Sequence, residues 1–222
     1  MTHSDDKGLV LPPRLATTHV VIVPILSNAK LKEQVLAAAE QLSKSIQSQA
    51  AQSLLPYSVG VYLDQDETKQ PGWKFHEYEL IGVPLRIEIG PRDLEKGQVV
   101  MTRRDLGEKM PIALADVPGK VIHELVQMQK DLLERARAFR HQNTFEVSDY
   151  ADFKIKIDQP GGFFLASWCQ SKVCEAKIKE ETKATIRCLP VREDYQPYSA
   201  QGHCLYCGES KELVRAIFAK SY

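Results

Sequence analysis

Four cysteines constrain the fold of this chain more than any other feature. Cys169 and Cys174 form a C-x4-C pair, and Cys204 and Cys207 form a C-x2-C pair followed by Gly208. Two such pairs about 30 residues apart fit a tetrahedral four-thiolate zinc site, with sulfurs at about 2.3 Å from the metal. A shell closed by four thiolates leaves no position for water, so the site is structural and not catalytic. The glycine after the second pair lets backbone amides turn toward the sulfurs. The competing reading makes these residues small buried thiols of a reduced domain; the spacing favours zinc. Cys188 lies in the apolar run ATIRCLP, where a buried core thiol is the simpler reading. His203 adjoins Cys204, and that adjacency disfavours ligation by both.

A chain of 222 residues suits one large domain or two small ones, and a hydrophobic fraction of 43% allows a real core. Lys+Arg and Asp+Glu both number 29, so the formal net charge is zero. This excludes a general basic coat, and RNA binding must rest on a local patch and specific contacts. No apolar run reaches the length of a transmembrane helix. The start, MTHSDDKG, is polar and acidic, unlike a signal peptide or an Arg-rich transit peptide. A cytoplasmic location with reduced thiols is expected, and there five cysteines point to metal or burial before disulfides.

Along the chain, residues 18–25 (THVVIVPI) read as a buried strand. Asn28 offers an N-cap to an amphipathic helix over about 28–50, with Leu31, Val35, Ala38, Ala39, Leu42 and Ile46 at helical spacing. Tyr57–Leu63 reads as a second strand. Pro71 suits the first turn of a helix and Gly82 its end. From Val83 the period is two: Leu85, Ile87 and Ile89 point one way, Arg86 and Glu88 the other. Gly90-Pro91 stops that strand, and Gln98–Arg103 reads as another, so this half is an α/β mixed-sheet layer structure. Pro118-Gly119 opens a long connecting helix over Val121–Arg140, with the domain boundary near it. Beyond it, strands at Phe163–Trp168 and Thr185–Leu189 surround a charged helix at Lys172–Thr182, and VRAIFAKSY reads as a last strand. This second unit is a small α+β domain whose thin core calls for a metal staple.

Between Trp73 and Asp93 aromatic and charged residues interleave. Aromatic faces stack unpaired bases, and Arg suits O6 and N7 of guanine. A carboxylate accepts from guanine N1–H and N2–H, so an Arg and an acid beside a ring make a plausible guanine reader. The plainer reading has Trp73 and Tyr78 as helix core residues and Arg86 with Glu88 as a solvated strand face, and residue types alone favour it.

Several long motifs reverse that preference. GLVLPPRLA at 8–16, THVVIVPI at 18–25 and PGWKFHEYELIGVPLRIEIGPRDLE at 71–95 resemble prolyl-tRNA synthetases of the archaeal and eukaryotic type. So do GFFLASWC at 162–169, CEAKIKEETKATIRCLP at 174–190 and FAKSY at 218–222, which extends the resemblance over nearly the whole chain. It implies that residues 1–16 are the tail of the catalytic domain, with Ser4 where the family has Gly, and not fully folded without that domain. It implies an anticodon-binding domain with a five-stranded mixed sheet over 17–117, and a linking helix with a C-terminal zinc-binding domain over 118–222. The partner is tRNA(Pro), whose second and third anticodon bases are both G. By position, Phe75 resembles the stacking ring, while Glu79, Arg86, Arg92 and Asp93 resemble the base-contacting groups, with Arg92 where some relatives carry Lys. Cys169, Cys174, Cys204 and Cys207 match the zinc ligands, and Tyr222 matches a terminal residue whose carboxylate points toward the active site. The complete enzyme would use ATP and magnesium to attach proline to tRNA, and would be a homodimer. The class II catalytic motifs are absent from this sequence, so the chain alone is expected to be a monomer without catalytic activity and without a membrane partner. The alternative expectation is a standalone tRNA-binding module, acting in trans or docking on a separate catalytic subunit. An independent zinc hydrolase is disfavoured by the closed thiolate set.

Overall fold

The computed structural model describes residues 3–26 and 31–221. The chain divides into two compact units, Met1–Glu134 and Arg135–Tyr222. No helix among the described residues is long and apolar enough to cross a membrane.

The first unit opens with β1 (Ser4–Asp5) and β2 (Gly8–Leu9), paired antiparallel. Then follow β3 (Val20–Pro24), α1 (Lys32–Ala51), β4 (Val61–Leu63), α2 (Pro71–Leu80) and β5 (Leu85–Ile89). The unit continues with α3 (Pro91–Glu95), β6 (Gln98–Arg103), β7 (Lys109–Ala113) and the start of α4 (Val117–Gln142). The five-stranded sheet has the order β4-β3-β5-β6-β7. Its first three strands are parallel and the last two are antiparallel additions.

Helices cover both faces of the parallel part, as such strands require. On one face Val35, Ala39, Leu42 and Ile46 of α1, at helical spacing, meet Val20, Ile22, Leu85, Ile87 and Ile89, together with Val117, Val121 and Leu125 of α4. On the other face Val21, Val23 and Val83 pack under Phe75 and Tyr78 of α2. This second cover corrects one expectation. Arg86 and Glu88 are not on a solvated strand face: all five residues of β5 are buried, because α2 lies over them.

Other boundaries shift for local reasons. Asn28 lies outside the described residues, and α1 starts at Lys32. The strand expected from Tyr57 begins only at Val61, where pairing with Val20 starts. Gly60 ahead of it is pressed so close to Thr17 that a Cβ there would lie 2.4 Å from the Thr17 carbonyl oxygen. Residues 3–16 are not loose either. They form the β1–β2 hairpin and a short 3-10 turn at Pro13–Leu15.

The division between the units falls inside α4, between Glu134 and Arg135. The second unit then contains β8 (Thr144–Glu146), α5 (Tyr150–Lys156), β9 (Phe163–Trp168), α6 (Lys172–Thr182), β10 (Ala184–Cys188) and β11 (Val214–Lys220). Its four-stranded sheet has the order β10-β11-β9-β8. β11 is antiparallel to both neighbours, and β8 runs parallel to β9. Phe153 sits edge-on to Phe164 and Phe218, with ring centroids 5.6 and 6.0 Å away, and Ile178 of α6 completes the buried centre. The Asp149 side chain caps α5 by accepting from the Asp152 amide, and Ser171 caps α6 by accepting from the Val173 amide. Cys188 is exposed, contrary to expectation: it lies on an edge strand, where a register shift between Ile186 and Cys188 interrupts the alternation.

Candidate nucleic-acid interface and metal centre

Helix α2 begins with Pro71 in its first turn, where no amide donor is needed. Phe75, Tyr78 and Glu79 then recur at i, i+3 and i+4, which puts them on the face turned to the sheet. Beneath them the Arg86 guanidinium lies 4.3 Å from the Phe75 ring centroid, a cation–π arrangement. Its Nη1 donates to Glu79 Oε1 at 3.0 Å and its Nη2 to Glu88 Oε1 at 3.2 Å. Lys109 Nζ donates to Glu88 Oε2 at 3.0 Å and lies 5.7 Å from the same ring. Two cations and two carboxylates are thus joined around one aromatic face.

Burial grades across this group. Arg86 is 8% and Glu88 5% exposed, whereas the Lys109 side chain is 60% exposed. Buried charges persist only when paired, which accounts for the contacts of Arg86 with both acids. Arg86 Nε nevertheless has no hydrogen-bond partner among the described residues, and neither has the buried Thr102 hydroxyl opposite it on β6. Sequence reasoning missed Lys109. It enters the group because β5, β6 and β7 place Arg86, Thr102 and Lys109 in one line across the sheet.

A second buried pair anchors the start of α2. Lys74 Nζ donates to Asp64 Oδ1 at 2.8 Å, and the Tyr78 hydroxyl donates to Asp64 Oδ2 at 2.9 Å. Burial, and then the bond to Asp64, push the Tyr78 phenol well above its ordinary range. Contrary to the plainer sequence reading, Trp73 is not a core residue. It is half exposed, with Lys69 Nζ 3.7 Å from its ring centroid.

Arg92 and Asp93 occupy a different place, on α3 beyond the C-terminal end of β5. They line a groove with Ile25, Leu31, Pro91 and Glu95. Asp93 Oδ2 accepts from the Gly90 amide at 3.1 Å and so caps its own short helix. Arg92 is exposed. The structure therefore gathers Phe75, Glu79 and Arg86 into one constellation and sets Arg92 and Asp93 at the strand end.

In the second unit the four cysteine sulfurs lie within 4.8 Å of one another. Cys169 Sγ is 3.6 Å from Cys174 Sγ and 3.7 Å from Cys207 Sγ. Sulfurs at the corners of a zinc tetrahedron are about 3.8 Å apart, so the donor set fits a four-thiolate ion in type and size. Cys169 follows β9, and Cys174 falls in the first turn of α6. Cys204 and Cys207 sit on a tight turn closed by the Gly208 amide donating to the Cys204 carbonyl at 3.1 Å. Gly208 has φ +77°, a conformation that favours glycine. The turn is tied to β9 by the Leu205 amide donating to the Ser167 carbonyl at 2.9 Å. Burial alone would raise the Cys204 thiol, but the amides of Cys207, Tyr206 and Cys169 bring it down to about 7. Burial pushes Cys174 up to about 12. His203 Nδ1 instead contacts the Gly208 carbonyl at 3.2 Å, and His203 is not part of the sulfur cluster. Tyr222 lies outside the described residues.

Residues 19–124 match the family model of an anticodon binding domain. Residues 150–222 match that of the prolyl-tRNA synthetase C-terminal domain. Over its whole length the chain is 45% identical to a proline--tRNA ligase of Chlorobium chlorochromatii, across 226 residues that make up 44% of that protein. It is 45% identical to the proline--tRNA ligase of Chloroherpeton thalassium and 43% identical to that of Amoebophilus asiaticus, covering 44% and 43% of them. The chain spans less than half the length of these curated relatives. The five-stranded mixed sheet, with its match to an anticodon binding domain, defines the anticodon-binding part of an aminoacyl-tRNA synthetase, and the four cysteines of the second unit could hold a metal ion. Within that class the chain belongs to the prolyl-tRNA synthetase family, as its C-terminal portion.

Proposed function

We propose that this chain reads the guanines of the proline tRNA anticodon with Phe75, Glu79, Arg86, Arg92 and Asp93. The supporting observation is the Phe75–Arg86–Glu79 constellation, a ring 4.3 Å from a fork-shaped cation that donates to an acid at 3.0 Å, in a domain of the anticodon-binding family. Phe75 offers a stacking face. Arg86 donates toward O6 and N7, and Glu79 accepts from N1–H and N2–H. In the free protein Arg86 and Glu79 satisfy each other, so binding exchanges one set of charge-assisted bonds for another. The gain is then one of selectivity more than of raw affinity. Lys109, exposed, adds positive charge toward the RNA backbone.

Cys169, Cys174, Cys204 and Cys207 hold a structural zinc ion in this reading. Its role is to staple the turn carrying Cys204 and Cys207 to β9 and α6. The relatives are proline--tRNA ligases, and in this reading the chain serves such a ligase, cytoplasmic and dependent on ATP and magnesium, as the part spanning the anticodon-binding and zinc-binding domains. The test is binding to a proline tRNA transcript, beside the same transcript with its two anticodon guanines changed. Selective loss on the changed transcript is expected. Equal binding to both would overturn the base-reading assignment.

A further inference from the structure

Residues 3–10 precede the stretch matched to the anticodon-binding family, which starts at residue 19, yet they are built into the candidate site. The β1–β2 hairpin is closed by the Val10 amide donating to the His3 carbonyl at 2.8 Å. It is seated on the last turn of α2. A Cβ at Gly8 would lie 2.5 Å from Leu80 Cα, and one at Gly82 would lie 2.7 Å from Leu9 Cβ. Both glycines have left-handed backbones, φ +130° and +75°, so the contact requires glycine on each side.

Arg104, immediately after β6, completes the joint with a buried side chain. Its Nη1 and Nη2 donate to the two carboxylate oxygens of Asp5 at 2.8 and 2.6 Å. Its Nε donates to the backbone carbonyl of Glu79 at 2.9 Å. Carbonyls in the last turn of a helix lack internal partners and carry partial negative charge, which a cation satisfies. Glu79 is thus held through its backbone by Arg104 and through its side chain by Arg86.

We propose that the hairpin and Arg104 are a positioning device for base reading: the Asp5–Arg104 pair fixes the last turn of α2, and with it the Glu79 carboxylate that meets guanine. The inference rests on the guanine-reading function proposed above. A fragment cut at the family boundary would lose the device.

The experiment compares affinities of the full 222-residue chain for the proline tRNA transcript and for the transcript with changed anticodon guanines. Asp5→Asn and Gly8→Ala should each lower the discrimination ratio by roughly three- to tenfold. Asp5→Glu, which keeps the carboxylate, should retain it. Val121→Ala lowers stability in the core away from the hairpin and should leave the ratio unchanged. A wild-type ratio in Asp5→Asn overturns the proposal, as does an equal loss in Val121→Ala. A ratio of one in the unmutated chain identifies failure of the guanine reading itself, and the positioning role falls with it.

Discussion

The two units solve the problem of a stable core in opposite ways. The first sandwiches a five-stranded sheet between helices on both faces, and has enough apolar surface to tolerate the buried charges of Arg86, Glu88, Lys74 and Asp64. The second centres on three phenylalanines and one face of α6, with the cysteine cluster beside it. Where burial is plentiful, paired ionic groups sit inside, and Arg86 among them belongs to the proposed base-reading site. Where burial is scarce, the proposed zinc ion would help hold the chain together.

The sharpest way to break this comparison is to disrupt the proposed zinc site. Cys204→Ser, or strong chelation, should unfold the second unit, since zinc binding in small modules contributes on the order of 10–16 kcal/mol. The first unit should keep its own melting transition, as calorimetry beside metal analysis would show. Stoichiometric zinc retained in Cys204→Ser would sink the four-cysteine assignment. Next in size, Leu125→Ala opens a cavity in the first core and should cost about 2–5 kcal/mol by denaturant unfolding, without changing zinc content. A smaller effect is expected at the site. Arg86→Lys keeps a charge for Glu88 but loses the fork, and should weaken proline tRNA binding by about 1–3 kcal/mol. Equal weakening on an unrelated tRNA would reduce Arg86 to a source of charge.

The smallest effect concerns acid. The bond to Arg104 lowers Asp5 from 3.8 to about 2, because the guanidinium favours its charged form. A carboxyl depressed in the folded state contributes stability that is present above pH 3.8 and is lost as pH falls toward 2. Amide exchange in residues 3–10 should therefore quicken across that window ahead of the sheet. Uniform exchange behaviour in Asp5→Asn and in the unmutated chain would contradict it.

Much of this architecture was legible from period and spacing. β9 and α6 fall on the predicted ranges, Phe163–Trp168 and Lys172–Thr182, because each has clear flanking signals and a single buried face. The sulfur cluster followed from cysteine spacing and from the thin core expected of the second unit. Several elements were not foreseen, the short β1, β2 and α3 among them. β8 has only three residues, α5 is too short to show a period, and β7 carries Pro111, which weakens a strand signal. The candidate site was legible in residue types but not in burial. Nothing local says that α2 covers Arg86 and Glu88, and Lys109 joins them only through register across three strands. Cys188 was misplaced because its apolar neighbours gave no sign of the shifted register.

The order of strands in the second sheet has a consequence for synthesis. β11 lies between β9 and β10, both of which precede it in the chain. As the polypeptide leaves the ribosome, all four cysteines emerge before the strand that joins the sheet. Until then β9 and β10 each present an open hydrogen-bonding edge, the state in which nascent chains associate wrongly. The proposed zinc ion, captured early by Cys169, Cys174, Cys204 and Cys207, would shorten that exposure by holding the turn at Cys204 and Cys207 beside β9 while β11 arrives.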